Sequence, residues 1–121
     1  MKTILYVDDD YNSLLLVKEQ LKIIDPDIKI ITESRGEDGI DTFKNYSEDI
    51  DMVIADIQIP NVNGYDLLLL VKKMKPNTPV VMITANNIMR ENDYVIKKLG
   101  ASEYLIKPMS LKLLSEIVDK Y

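Results

Sequence analysis

Four places in this chain combine residue type and position in a way that can do chemistry. Asp8, Asp9 and Asp10 follow the apolar run Ile4-Leu5-Tyr6-Val7; Asp56 follows Met52-Val53-Ile54-Ala55; Thr84 follows Val80-Val81-Met82-Ile83; Lys107 and Pro108 follow Tyr104-Leu105-Ile106. If the runs ending at Asp8 and Asp56 are neighbours, at least three carboxylates share one pocket, and each pair about 4 Å apart repels by roughly 4 kcal/mol at an effective dielectric of ~20. A divalent cation offsets that repulsion. The chain has no Cys and no His, which excludes thiolate and imidazole ligands, so the cation must be a hard one held by oxygen, and Mg²⁺ suits the set better than an all-protein calcium cage. Asp8-Asp9-Asp10 lacks the alternation and the distant glutamate of an EF-hand loop. A hydroxyl at Thr84 and an ammonium at Lys107 suit two oxygens of a phosphoryl group, and a carboxylate can accept that group as an acyl phosphate. Asp10 reads instead as a helix cap, the ordinary use of an aspartate after a strand.

These residues need a scaffold that brings distant segments together. Short apolar runs, Ile4–Val7, Ile28–Ile31, Met52–Ala55, Val80–Ile83 and Tyr104–Ile106, alternate with segments whose apolar residues recur at helical spacing. The first, third and fourth runs are apolar throughout, as strands covered on both faces are; the second and fifth read as edge strands. Leu14, Val17, Leu21 and Ile24 share one helical face; Ile40 and Phe43 belong to a second helix, begun by a capping box of Ser34 and Glu37. Leu67, Leu68, Val71 and Met74 form a third face, with Leu69 or Leu70 left over for solvent. Ile88, Val95 and Leu99 form a fourth, closed by a left-handed Gly100, and Ser110 caps a fifth helix carrying Leu114, Ile117, Val118 and Tyr121. Five strands alternating with five helices predict a doubly wound α/β domain with a parallel sheet, and such folds bind ligands at the carboxyl ends of their strands, where all four groups stand.

Composition narrows the function. With 121 residues, 46% of them apolar, residues 1–121 read as one domain able to fill a core without staples. A net charge of −5, from 15 basic and 20 acidic residues, argues against direct nucleic-acid binding. The longest candidate run for a membrane, Leu67–Val71, has five residues where about 20 are needed, so neither a span nor a signal peptide is expected and the cytoplasm is the default location.

The pattern resembles the receiver domain of two-component response regulators. The resemblance runs from Ile4-Leu5-Tyr6-Val7-Asp8-Asp9 through Asp56-Ile57-Gln58-Ile59-Pro60, Asn63-Gly64 and Ile83-Thr84-Ala85 to Tyr104-Leu105-Ile106-Lys107-Pro108. It implies a flavodoxin-like (βα)₅ fold with strand order 2-1-3-4-5. By the same resemblance Asp56 accepts a phosphoryl group from a histidine of a partner kinase or phosphotransfer protein. Asp9 holds Mg²⁺ directly, Asp8 through water, and the Gln58 carbonyl completes a protein ligand set that includes Asp56. Lys107 pairs with Asp56 and then the phosphate, through a cis peptide to Pro108. Thr84 and Tyr104 act as the switch, and the surface of the fourth helix, fifth strand and fifth helix presents the result to a downstream protein target. Gln58 and Asn86 are expected to tune how water reaches the acyl phosphate. Ile59 and Asn63 depart from the residues common in the family, without touching a proposed ligand. The domain is therefore expected to be a signalling module rather than a metabolic enzyme. A second reading is a phosphatase of the haloacid dehalogenase type with Asp8 as nucleophile, which leaves Asp56 without a role.

Overall fold

Each apolar run becomes a strand, and alternation along the strands divides their side chains between two helical layers. In the computed structural model, which describes residues 2–59, 61–85 and 97–121, the strands are β1 (Thr3–Val7), β2 (Lys29–Glu33), β3 (Met52–Asp56), β4 (Val80–Thr84) and β5 (Glu103–Ile106). All pairings are parallel, in the order β2-β1-β3-β4-β5. The described helices are α1 (Tyr11–Ile24), α2 (Gly36–Tyr46), α3 (Gly64–Met74) and α4 (Leu111–Lys120). α4 is the fifth helix of the sequence reading; the expected fourth, with Ile88 and Val95, lies outside the described residues, as do Pro60 and Asn86.

β1, β3 and β4 are buried at every position, while β2 and β5 are partly exposed, as expected of central and edge strands. Leu5, Val7, Val53, Ala55, Val80 and Met82 point into one core with Phe43 of α2 and Leu67, Leu68 and Val71 of α3. Ile4, Tyr6, Met52, Ile54, Val81 and Ile83 point into the other with Val17 and Leu21 of α1 and Leu114, Ile117 and Val118 of α4. Continuous apolar strands are what this double covering demands, because neither face meets water. No helix among the described residues is long and apolar enough to cross a membrane.

Caps set where the helices begin. Asp10 caps α1: the Asn12 amide donates to Asp10 Oδ1 at 3.1 Å and the Ser13 hydroxyl to Oδ2 at 3.0 Å. Ser110 caps α4 by accepting from the Leu113 amide at 3.0 Å, and Gly100 adopts φ +110°. The capping box at Ser34 does not form. The cap residue of α2 is Arg35, with no side-chain hydrogen bond to the helix, and the Glu37 carboxylate pairs with the Arg35 guanidinium instead. An ionised partner two residues away draws the carboxylate more strongly than the neutral amide that a capping box would offer. Met74 also departs from expectation. It is 39% exposed, because it is the last helical residue and the backbone leaves the helix at Lys75 before the next turn could pack; on the same helix Leu69 is exposed while Leu70 is half-buried. β2 begins at Lys29, one residue later than its apolar run, with Ile28 buried just ahead of it.

α3 starts where the chain passes closest to the end of β3. A Cβ placed on Gly64 would lie 2.4 Å from the Asp56 carbonyl oxygen and 2.9 Å from Ile57 Cα, and both neighbours are backbone. Neither can yield without moving the end of β3. Gly64→Ala is therefore expected to destabilise the domain by about 1–3 kcal/mol, read as a lower urea midpoint at unchanged slope; an unshifted midpoint would show that this approach is not tight.

Candidate functional site

β1 and β3 are adjacent at the point where strand order reverses, so the residues that follow them meet. Tyr6 pairs with Ile54 in register, and Asp56 pairs with Ile83. Counting by twos from Tyr6, Ile54 and Leu105 places Asp8, Asp56 and Lys107 on the α1–α4 side of the sheet. The register puts Thr84 and Tyr104 on the opposite side, in line with Met82. Sequence separation is thus converted into proximity by strand order, and orientation by strand alternation.

Of the four groups read from the sequence, the aspartates after β1, Asp56 and Lys107 come together, while Thr84 is joined to them through its backbone carbonyl. One oxygen each from Asp8, Asp9 and Asp56 lie within 4.8 Å of one another. Lys107 Nζ stands between two of them, 2.6 Å from Asp8 Oδ2 and 2.8 Å from Asp56 Oδ2. Asp8 is fully buried and Asp56 is 5% exposed, whereas Asp9 faces solvent. The Gln58 amide donates to Asp56 Oδ1 at 2.9 Å, and the Asp10 amide to Asp8 Oδ1 at 3.0 Å. Asp10 itself turns away to cap α1. The Lys107–Pro108 peptide is cis.

Electrostatics here is a contest between burial and compensation. Burial raises the Asp56 carboxyl above the ordinary aspartate range, and Asp8 adds to this; hydrogen bonds from Lys107 and the Gln58 amide oppose the rise without cancelling it. Burial alone pulls the Lys107 ammonium down, but its hydrogen bonds to Asp56 and Asp8 outweigh that and leave it above the usual lysine value. Lys107 is therefore a permanent cation. One ammonium among three carboxylates leaves the rim short of positive charge. The ligand atoms available are carboxylate oxygens, with the Gln58 backbone beside them, and the chain has no Cys or His, a set that fits Mg²⁺.

Thr84 is fully buried at the end of β4, and its carbonyl accepts from the Lys107 amide at 2.8 Å, which ties the ends of β4 and β5 together at the site. Tyr104 is half-buried and packs against the α2–α3 core. One participant was not singled out from sequence. Tyr6 is fully buried, and its hydroxyl donates to Asp8 Oδ2 at 2.6 Å. Burial, reinforced by that hydrogen bond, raises its pKa far above the ordinary tyrosine value, so the phenol stays a donor. The available signal was its position two residues before Asp8, which on a strand means the same face.

Comparison with known proteins agrees with this geometry. The family model of the response regulator receiver domain matches residues 4–119. Response regulator SaeR of Staphylococcus aureus (strain USA300) is 32% identical over 105 residues, covering 80% of this chain and 44% of SaeR, so the chain spans less than half the length of the curated relatives it matches. A response regulator receiver domain protein from Clostridium thermocellum superposes with a TM-score of 0.91 at 31% identity, covering 99% of this chain and 93% of that one. Response regulator TrrA from Thermotoga maritima, solved in complex with Mg²⁺-BeF, superposes with a TM-score of 0.84 at 32% identity, covering 99% and 98%. A buried acidic pair bridged by one lysine at the carboxyl ends of a 2-1-3-4-5 sheet, matched over nearly the whole chain, leads to one conclusion: the chain belongs to the receiver domain family of response regulators, signalling modules of two-component systems rather than metabolic enzymes.

Proposed function

We propose that this domain accepts a phosphoryl group on Asp56 from a phosphorylated histidine of a partner kinase or phosphotransfer protein, with Mg²⁺ held by Asp8, Asp9, Asp56 and the Gln58 carbonyl. The observation that carries the reading is Lys107 Nζ bridging Asp8 and Asp56 inside a cluster of three carboxylates. An Asp56 oxygen attacks phosphorus, the N–P bond of the donor breaks, the leaving imidazole takes up a proton, and an acyl phosphate remains. Since these 121 residues hold no His, the donor histidine lies outside them. Hydrolysis later adds water across the O–P bond, releasing phosphate and restoring the carboxylate.

Each residue has a part fixed by its position. Bound at the acidic rim, Mg²⁺ supplies charge neutralisation for the phosphoryl oxygens. Lys107, already on Asp56 Oδ2, is placed to follow the negative charge as it moves onto phosphate. Thr84 offers its hydroxyl from the adjacent strand end, and Tyr104 shares that face of the sheet, so a shift of Thr84 toward the phosphoryl group opens space for the ring. That pair transmits the state of the site to the surface of β5 and α4, where a downstream protein reads it. Gln58, exposed and two residues past Asp56, would tune access of water to the acyl phosphate. The family match and this geometry give the phosphatase alternative no support.

Incubation with Mg²⁺ and acetyl phosphate, followed by intact-mass analysis, is expected to add one phosphoryl group to the wild type and to Asp8→Asn, more slowly in the latter, and none to Asp56→Asn. Labelling of Asp56→Asn at the wild-type level, or turnover of a general phosphate ester that Asp8→Asn abolishes, would overturn the reading.

Mg²⁺ is expected to raise the melting temperature, because it binds the folded cluster and not the unfolded chain; at 100 times its Kd this amounts to about 2.7 kcal/mol. Asp8→Asn should lose most of that rise. No rise in the wild type at millimolar Mg²⁺ would remove the metal site from the scheme.

Burial that raises the Asp56 pKa means the folded state binds its proton more tightly than the unfolded chain does. Its ionisation therefore costs stability, a cost absent at low pH and complete once pH exceeds the folded pKa. In metal-free buffer Asp56→Asn is expected to be more stable than the wild type at neutral pH, with the gap closing as pH falls through the raised folded pKa toward about 4. Denaturant midpoints across pH measure this, and a gap that widens on acidification would contradict it.

A further inference from the structure

We propose that Tyr6 is a positioning residue of the acidic site, whose hydroxyl holds Asp8 Oδ2 beside Lys107 and thereby limits what Asp8 can give to a bound cation. The inference rests on the metal reading above and concerns how tightly that metal is held.

The geometry is specific. Tyr6 has no exposure, and a buried phenol must find a hydrogen-bond partner. It sits in the α1–α4 core with Ile4, Val17, Ile54 and Met109, and Asp8 Oδ2 at 2.6 Å is where its proton goes. The same oxygen also receives Lys107 Nζ at 2.6 Å, and Oδ1 receives the Asp10 amide at 3.0 Å. An ionised carboxylate has about four lone-pair sites. Three are occupied, all that remains is on Oδ1, and bidentate coordination by Asp8 is closed off.

Two consequences follow. Tyr6 and Lys107 together anchor the Asp8 side chain on the inner side of the cluster, so that the exposed Asp9 is left to approach a cation more freely. The phenol also lowers the negative potential that Asp8 presents, since a donor hydrogen bond stabilises the carboxylate charge that a cation would otherwise draw on. An aliphatic or phenylalanine side chain at this strand position would fill the same core and leave Asp8 with more charge to offer. Tyr6 therefore sets Mg²⁺ affinity lower than the carboxylates alone would give, which keeps the metal exchangeable.

The test is Tyr6→Phe, which preserves ring packing and removes only the donor. Titration calorimetry with MgCl₂ is expected to show about threefold or tighter binding in Tyr6→Phe, together with a lower metal-free melting temperature and a larger rise on adding Mg²⁺. In an Asp8→Asn background the same substitution should leave Mg²⁺ affinity unchanged, because the oxygen through which it acts no longer carries charge. Phe43→Leu, a core change in the opposite layer, serves as a control that lowers the melting temperature without altering affinity. If Tyr6→Phe lowers the melting temperature but binds Mg²⁺ as the wild type does, or more weakly, Tyr6 is a packing residue and the proposal is wrong. Should wild type itself bind no Mg²⁺ by calorimetry, the metal reading fails first, an outcome distinct from a wild type that binds and a variant that does not differ.

Discussion

Three carboxylates packed at the ends of two adjacent strands are an electrostatic liability, and the structure around them is organised by the need to contain it. Lys107 is the principal answer: a single ammonium within 2.8 Å of both buried aspartates, brought there by the last strand of the sheet. Backbone amides of Asp10 and Gln58 and the phenol of Tyr6 supply the remaining donors. Formally three negative charges face one positive charge, so compensation is incomplete by design of the sequence. Under the proposed function, an incomplete cage of this kind would attract a divalent cation and tolerate a phosphoryl group when that cation is present.

Rigidity beneath the site makes this possible. β1, β3 and β4 are buried along their entire length, and the two cores on either side lock their side chains in place. Close approaches without room for a side chain, such as Gly64 over the Asp56 carbonyl, hold the loop after β3 against the strand ends. The acidic cluster and Lys107 occupy one side of the sheet and the Thr84–Tyr104 pair the other, joined by the hydrogen bond from the Lys107 amide to the Thr84 carbonyl. Under the proposed function, a charge change on one side of the sheet is thereby linked to packing on the other. The link is short, and it is made of backbone, which transmits displacement with little slack.

Much of this was legible residue by residue. The central strands announced themselves as uninterrupted apolar runs because burial on both faces leaves no place for alternation, and the edge strands as shorter or broken runs. Asp10 and Ser110 were recognisable as caps because the residue type and the start of a periodic segment coincided. Ser34 and Glu37 had the same local spacing and yet made no capping box, since Arg35 captured Glu37. Spacing alone does not rank competing partners. Met74 matched the helical period of α3, but period says nothing about whether a core still lies beside the last turn.

The sequence by itself determined the chemistry available: oxygen ligands only, no imidazole, a carboxylate able to accept phosphate, and a hydroxyl and an ammonium at strand ends. It also determined the alternation of strands and helices, because periodicity is a local property. Tertiary structure decided which oxygen meets which donor. Lys107 lies 51 residues from Asp56 along the chain yet 2.8 Å away in space, and Tyr6 meets Asp8 rather than solvent, because pairing β1 with β3 and covering both with α1 and α4 removes water from that face. Such contacts depend on the excluded solvent as much as on the residues, and exclusion of solvent exists only once the layers are assembled.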